Sequence, residues 1–445
     1  MSTRRMTGRL PMAVMIAFVA AACGDDEDEE IFSIDPEPVT SQDNNPFSDI
    51  DSDTPPPAEV AVSATIDGFS GVRLVAETPT LQTTVPGTLV AEAPVFRVED
   101  ENGAPVPGLA VQFQAIEGGS VIDTTTVTDA DGRATQTGWR SGPSIGFYAM
   151  DAIVAGSILR FAVEATSSYA IQLDFRSAVP PAIREAFLQA AARWSGVVRS
   201  ELDDIPIDTQ ELPENCGQTS SSNVVDVDDL LVVVEVPDID GVGGVLGQAG
   251  PCIVRTADDS PLVGSMEFDL ADLEGLLEIG RLEEVIRHEM GHVIGIGTLW
   301  GDLIENPSVN NAGADTRFIG SAATSAFQSL GGSGDSVPVE NDGQPGSSDG
   351  HWRESVFRNE LMSPRFTGRE RSLPISIVTV ASLQDLDLYS VNIEGVDPFE
   401  LPDSQIMSLE LDEPSSLLVA TDHLLIRPSH AIDANGVITP LRSND

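Results

Sequence analysis

The sequence predicts an α+β protein in which a small all-β domain precedes a mixed domain of strands and helices. Between residues 60 and 167 the chain consists of short runs of strand-forming residues separated by turn signals. From residue 168 onward, apolar runs of strand length are interspersed with amphipathic helical patterns. A chain of 445 residues has room for about two or three domains with sizeable cores.

Residues 1–22 have the pattern of a secretory signal. Three arginines precede the apolar run 10–22, which is too short to span a membrane. Small residues then lead into Cys23, an arrangement that resembles the bacterial lipobox, although Ala20 replaces the usual leucine. The resemblance implies a lipidated Cys23 as the first residue of the mature chain. Ordinary signal cleavage near Ala22 is the alternative.

The segment 23–59 is predicted to be an acidic, proline-containing linker that stays extended. The whole chain is strongly acidic as well. It contains 71 Asp and Glu against 23 Lys and Arg, which gives a formal charge of −48. Every basic residue is arginine, which excludes lysine Schiff-base chemistry. The charge also argues against nucleic-acid binding. The signal pattern and the lipobox resemblance at Cys23 imply a bacterial cell-envelope location, with the lipid-anchored chain facing the periplasm or the exterior.

Residues 60–167 are predicted to form a β-sandwich. Strands are expected at 94–98, 109–114 and 159–163, with glycine-containing turns between them. The segments 98–108 and 128–134 resemble bacterial Ig-like domains of surface adhesins. That resemblance is compatible with a plain spacer and also with adhesion or substrate docking.

The mixed domain is expected to span residues 168–392. It should begin with a strand at 171–175, followed by an amphipathic helix at 181–202 and a buried strand at 230–236. The helix has apolar residues at helical spacing, namely Ile183, Phe187, Ala190, Trp194 and Val198. The tail, 393–445, can add a few strands, and the sequence assigns it no role.

The pattern His288-Glu289-x-x-His292 lies in a predicted helix at 282–294. Residues i and i+4 share a helix face, so both imidazoles can reach one metal ion. Two neutral imidazoles and an open position favour Zn²⁺. Glu289 adjoins the first ligand, where its carboxylate can take a proton from a metal-bound water.

The third ligand is expected to be His351. Gly295 can turn the chain out of the helix, but Thr298 stands where the short metzincin motif has its third histidine. His351 precedes Trp352 and the segment Asn359-Glu-Leu-Met362, and this arrangement resembles the leishmanolysin family of metzincin zinc proteases.

That resemblance covers about half the chain, including 264–272, 337–341 and 381–385. It implies a metzincin-type zinc protease domain, His351 as ligand, and Met362 as the methionine of the Met-turn beneath the metal. It also implies that an extended peptide substrate lies along an edge strand near 264–268.

Two alternatives to His351 exist. A glutamate ligand on a second helix is disfavoured, because position 312 is alanine and the segment 306–314 is rich in residues that break helices. Glu305 is the nearest carboxylate. The other alternative is a surface histidine at 351. The remaining histidines, His423 and His430, lie in the tail.

Cys216 and Cys252 are predicted to form a disulfide once Cys23 carries lipid, since the exported chain meets an oxidising compartment. On the chain-entropy model such a bridge stabilises the fold by roughly 3–4 kcal/mol.

The sequence thus predicts a membrane-anchored, exported zinc endopeptidase acting on protein or peptide substrates. Its zinc-bound water would be activated by Glu289. The alternative is an adhesin or binding protein with a structural or degenerate zinc site. The insertion 296–350 is expected to pack on the zinc-bearing helix through Phe318, Phe327 and Leu330, since His351 must reach the metal accurately.

Overall fold

The computed structural model describes residues 71–441 except 117, 240, 243–245, 310, 343–345, 367–372, 403–418 and 421–422. The predicted signal segment, Cys23 and the linker 23–59 lie outside the described residues. The described part is a mixed α+β structure with more strands than helices. None of its helices combines the length and the apolar character that crossing a membrane requires.

The first part of the described chain is built from strands and connecting turns. Its strands are β1 (Arg73–Ala76), β2 (Leu81–Thr84), β3 (Val95–Glu99), β4 (Ala110–Ile116), β5 (Ser120–Val121), β6 (Thr125–Val127), β7 (Arg133–Thr135), β8 (Trp139–Arg140), β9 (Gly146–Val154) and β10 (Ser157–Ala165). They form a three-stranded sheet in the order β1-β3-β7, a five-stranded sheet in the order β2-β10-β9-β4-β6, and the pair β5-β8.

The two larger sheets of this part share one apolar core. Phe96 of β3 contacts Phe113 of β4 and Phe161 of β10, with ring centroids 6.3 and 6.4 Å apart. All three rings are buried, as are Val98 and Met150. Alternation along each strand directs apolar side chains to this core and polar ones outward. The predicted all-β region is therefore present as two sheets packed on each other.

The second part mixes strands and helices. Its strands are β11 (Ile171–Phe175), β12 (Ile205–Asp208), β13 (Val224–Val227), β14 (Leu230–Glu235), β15 (Gly247–Arg255), β16 (Pro261–Phe268), β17 (Ile304–Glu305), β18 (Arg317–Phe318), β19 (Val337–Pro338), β20 (Arg365–Phe366), β21 (Val419–Ala420), β22 (His423–Leu425), β23 (His430–Ile432) and β24 (Ile438–Pro440). Its helices are α1 (Pro181–Val197), α2 (Leu270–Glu278), α3 (Leu282–Val293), α4 (Ser321–Ser329), α5 (Glu354–Phe357) and α6 (Ile377–Asp385).

The main sheet has the order β11-β14-β16-β15-β23-β24, and β22 also pairs with β15. Strands β11, β14 and β16 are parallel, whereas β15 is antiparallel to β16. The apolar run of β14 serves both faces of this sheet. Val232 and Val234 join the core beneath the helices, while Leu231 and Val233 join a second core on the opposite face. Burial on both faces explains why the run is apolar without alternation.

The predicted disulfide between Cys216 and Cys252 is present, and both residues are fully buried in the second core. It joins the 3-10 turn Glu214–Cys216 to β15 across a sequence separation of 36. The bridge therefore fixes the long connection between α1 and β14 against the sheet that supports the metal centre.

The structure corrects two expectations for this domain. Helix α1 ends at Val197 and not at residue 202, because Val198 is extended and forms a β-bridge with Val391. The predicted substrate edge at 264–268 is wrong, since β16 is flanked by β14 and β15. One neighbour of β16 is β15, and the tail strands β22 and β23 pair with the edge of β15 that faces away from β16.

The two parts of the described chain are joined by buried polar contacts. Arg193 of α1 is only 3% exposed and donates to the carbonyl oxygens of Pro143 and Gly395. The Asn392 amide donates to the carbonyls of Pro86 and Gly196. The all-β part therefore contacts α1, the helix that supports the metal-bearing helix α3.

Candidate metal centre

Helix α3 carries His288, Glu289 and His292, and all three side chains are fully buried. The helix forms because Leu282, Val285 and Ile286 recur at helical spacing and face the core. The chain leaves it through Gly295 and Gly297, whose φ values of 120° and 75° favour glycine. At Gly297 a side chain would collide with the Gly350 carbonyl. This close approach sets the helix exit against the segment that carries His351.

His351 meets the two helix histidines as predicted. The three Nε2 atoms form a nearly equilateral triangle. Its sides are 3.1 Å for His288 to His292, 3.1 Å for His288 to His351, and 3.0 Å for His292 to His351. All three rings are fully buried. The fold thus brings together residues that lie far apart in sequence.

Each histidine is oriented by a backbone carbonyl at its other ring nitrogen. Nδ1 lies 2.6 Å from the Leu361 oxygen in His288, 2.8 Å from the Ile296 oxygen in His292, and 2.8 Å from the Ser347 oxygen in His351. A carbonyl only accepts, so each Nδ1 carries the hydrogen and each neutral ring presents a lone pair at Nε2.

Three lone pairs facing one another at about 3 Å repel unless a cation lies between them, and the electrostatics of the site therefore favour a metal ion. Burial lowers the pKa of His288 to about 3, with a further decrease caused by His351. Burial likewise lowers the pKa of His351 to about 4. Both rings are therefore neutral at physiological pH, the form that binds metals.

The donor set fits Zn²⁺. Three neutral imidazoles are a common catalytic zinc set, and the triangle is small enough for one ion to contact every Nε2 at about 2.0–2.1 Å. Among the described residues, these are the His, Cys, Asp and Glu side chains whose ligand atoms converge in this way, within 4.8 Å of one another.

Glu289 follows His288 on α3 and is fully buried. Removal from water raises the pKa of Glu289 to about 8. A cation at the histidines would oppose that increase, because it stabilises the ionised carboxylate.

Met362, the predicted Met-turn methionine, packs against helix α3 at Gly291. Its Sδ atom is 2.9 Å from the place where a Cβ on Gly291 would stand, and it is fully buried. Gly291 directly precedes His292, so the thioether packs on the helix between the two histidines. The Met362 carbonyl also accepts from the Trp352 amide at 3.0 Å.

The insertion before His351 packs on the domain, as expected, but its partner differs from the prediction. Phe318 contacts Trp300 and Trp352, and Phe327 contacts Phe357. Helix α4 packs mainly on α6 and not on α3. The insertion is therefore held through the aromatic residues beside His351.

Sequence reasoning missed Asp349, two residues before His351. Its buried carboxylate accepts from the amides of Ser308 and Val309 and from the Ser308 hydroxyl, at 2.7–2.9 Å. Its φ is 64°, a left-handed conformation that is uncommon outside glycine and is tolerated best by Asp and Asn. A buried Asp in a loop rich in Ser and Asn gives no sequence signal that distinguishes it from solvated neighbours.

Residues 201–397 match the family model described as Leishmanolysin. This region is similar to the leishmanolysin family. That family consists of zinc-dependent metallopeptidases. The match therefore supports the interpretation of the buried histidine group as a metal site. The match includes all three histidines, Glu289 and Met362.

No curated protein matches the sequence. Among solved structures, the D00-D0 domain of intimin is similar at 19% identity, covering 21% of this chain and 46% of that one, with a TM-score of 0.17. The D0-D1 domain of intimin is similar at 20% identity, covering 20% and 43%, with a TM-score of 0.15. WR4, a C. elegans MSP family member, is similar at 14% identity, covering 21% and 97%, with a TM-score of 0.16. The chain thus spans less than half the length of the two intimin structures.

Replacing Phe327 with Ser should weaken zinc binding by about 10- to 100-fold, the range seen when supporting residues of a metal site are changed. The change removes the ring that packs on Phe357 beside Trp352, and so loosens the segment carrying His351. Zinc affinity is measured by competition with a chromophoric chelator. Ile319→Ser, at a position 39% exposed in the same insertion, is the matched control. Equal zinc affinity in the Phe327 variant would show that the insertion does not position His351.

Proposed function

We propose that this protein is a zinc-dependent endopeptidase of the cell envelope. One observation supports this most directly: three neutral imidazole nitrogens converge beside a buried glutamate within a leishmanolysin-family region. A purely structural metal site has no use for a carboxylate at Glu289. An adhesin or binding protein with a structural or degenerate zinc site is the competing function.

In this proposal His288, His292 and His351 hold the ion, and the carbonyls at their Nδ1 atoms keep each ring in the binding tautomer. A bound Zn²⁺ supplies Lewis-acid chemistry, lowering the pKa of a coordinated water towards 7 and polarising the scissile carbonyl. Glu289 accepts a proton from the attacking water at its carboxylate and delivers that proton to the leaving amine. Met362 supports the helix beneath the two histidines.

Glu289→Gln should retain zinc and lose peptide hydrolysis by about 10²- to 10⁴-fold in kcat/KM, the usual contribution of a general base. The amide cannot take a proton from water, while the three ligands are untouched. Activity is followed on unfolded protein with and without a chelator, and zinc is quantified in the same samples. Glu283→Gln, whose half-exposed side chain lies on the same helix, should behave like the wild type.

Two outcomes oppose the proposal. Undiminished hydrolysis in the Glu289 variant would refute the mechanism. Wild-type protein that binds zinc yet cleaves nothing, with or without chelator, would favour the adhesin.

We further propose that Cys23 anchors the chain to a bacterial membrane, that 23–59 is a spacer, and that the all-β part is an Ig-like domain that holds the protease away from the membrane. The lipobox-like sequence and the acidic composition of 23–59 support the first two points. The two-sheet arrangement of the described strands supports the third.

Cys23→Ser should abolish incorporation of labelled palmitate and move the protein from the membrane to the soluble fraction, because the thiol that carries the lipid is gone. Ser33→Ala, in the linker, is the control. Membrane retention of the Cys23 variant would rule out the anchor without affecting the enzymatic proposal.

A further inference from the structure

The peptide group between Leu361 and Met362 makes two short hydrogen bonds in opposite directions. Its carbonyl oxygen is 2.6 Å from Nδ1 of His288, and its N–H donates to Glu360 Oε2 at 2.6 Å. One amide therefore connects a carboxylate to a histidine of the metal centre. Glu360 and His288 are both fully buried.

Every neighbour that the structure gives the Glu360 carboxylate in this network is a donor. Besides the Met362 amide, it accepts from the Ser376 amide at 3.0 Å and from the Thr379 hydroxyl. Thr379 Oγ1 itself accepts from Trp352 Nε1 at 2.8 Å, so its own hydrogen is directed to Glu360. Burial raises the pKa of Glu360, and the hydrogen bonds from Thr379, Ser376 and Met362 oppose that increase because they favour the ionised carboxylate.

We propose that Glu360 is a positioning residue for the metal centre and acts on His288 through the Leu361–Met362 peptide group. Its negative charge polarises the amide, which strengthens the carbonyl as an acceptor for Nδ1–H and increases electron density at Nε2. Many metal-binding histidines pair directly with a carboxylate. Here one peptide group lies between the Glu360 carboxylate and His288. The bond from Thr379 to Trp352 also connects Glu360 to the segment of His351.

The inference rests on the proposed zinc site and is tested by the Zn²⁺ affinity and the Co²⁺ absorption spectrum of the full chain. Glu360→Gln should weaken zinc binding by about 10- to 100-fold and shift the cobalt bands, because the charge is lost while the shape is kept. Glu360→Asp keeps the charge and should bind zinc more tightly than Glu360→Gln.

Glu340→Gln is the matched control. Glu340 is also buried, at 7% exposure, and accepts from the amides of Asn341 and Glu354 at 2.9 Å, yet none of these contacts leads to His288. Unchanged zinc affinity and cobalt spectrum in folded Glu360→Gln would overturn the inference. So would failure of that variant to fold, since the carboxylate would then support the fold and not the histidine. Absence of zinc binding by the wild type would refute the proposed function instead.

A separate observation concerns the outer edge of β15. The tail strand β22 pairs in parallel with Gly247–Ala249 of β15, and the Ile426 amide then donates to the Ala249 carbonyl at 2.9 Å. Farther along, the Ser429 amide donates to Cys252, and β23 pairs with Ile253–Arg255. The chain's own tail therefore occupies the strand edge where β-addition by a peptide would occur.

The first part of this tail also touches the metal-bearing segments. The Leu425 side chain contacts Gly350, the residue before His351. Arg427 donates to the carbonyl of Thr298, whose hydroxyl in turn donates to the His292 carbonyl. By contrast, Ile432 of β23 is fully buried in the second core, so the tail remains attached there.

We infer that residues 423–427 are an autoinhibitory strand, which an extended peptide substrate must displace from β15. This rests on the proposed peptidase function. Leu425→Asp should release the strand, because a charge would be placed against Gly350. Leu441→Asp, at a position 41% exposed in the same tail, is the matched control.

Both changes are made in the Glu289→Gln background, and binding of a fluorescent extended peptide is measured without turnover. Leu425→Asp should tighten binding about fivefold, which corresponds to ~1 kcal/mol of competing contacts. A synthetic peptide of residues 421–428 should then compete with the fluorescent peptide. Unchanged or weaker binding, or no competition by the tail peptide, would overturn the inference, whereas absence of chelator-sensitive hydrolysis in the wild type would refute the peptidase proposal.

Discussion

The convergence of three buried imidazole nitrogens is the constraint on which the rest of the structure depends. Neutral Nε2 atoms at 3.0–3.1 Å repel one another, so the surrounding fold has to hold them in place until a cation offsets that repulsion. The holding groups are backbone carbonyls, one for each ring. Because carbonyls belong to the main chain, the precision of the centre depends on the conformation of three separate segments.

Those segments are fixed by different means. His292 is oriented by the carbonyl of Ile296, which lies in the turn that directly follows its own helix. His288 depends on Leu361, whose peptide group is held by the buried Glu360. His351 depends on Ser347, in a loop that Asp349 fastens to Ser308. His292 is thus oriented by a local contact. The positions of His288 and His351 depend on contacts between segments that lie far apart in sequence.

The main sheet, which supports the metal centre, is buried on both faces. Side chains of β14 alternate between the core under α1 and α3 and a second core closed by the Cys216–Cys252 bridge. Arg193, on the face of α1 turned to the all-β part, binds Pro143 and Gly395. Its neighbour Trp194 donates to the Arg287 carbonyl of α3 at 2.8 Å. Contacts of the all-β part therefore reach the metal-bearing helix through two adjacent residues.

The sequence alone determined the features that depend on local spacing. The i, i+4 pair of His288 and His292, the strand at 171–175 and the buried side of α1 with Trp194 all follow from helical or strand periodicity. The motif around His351 and Met362 was specific enough to identify the family, because such a residue order rarely arises by chance.

Only the tertiary structure decided what depends on contacts between distant segments. Helix α1 stops at Val197 because the next residue pairs with Val391, which no local propensity reveals. The insertion packs on α6, and β16 lies inside the sheet with the tail along the edge of β15. Glu360 looked like one carboxylate among many in an acidic chain. Its burial against three donors, and its connection to His288 through a peptide group, exist only once loops far apart in sequence are folded together.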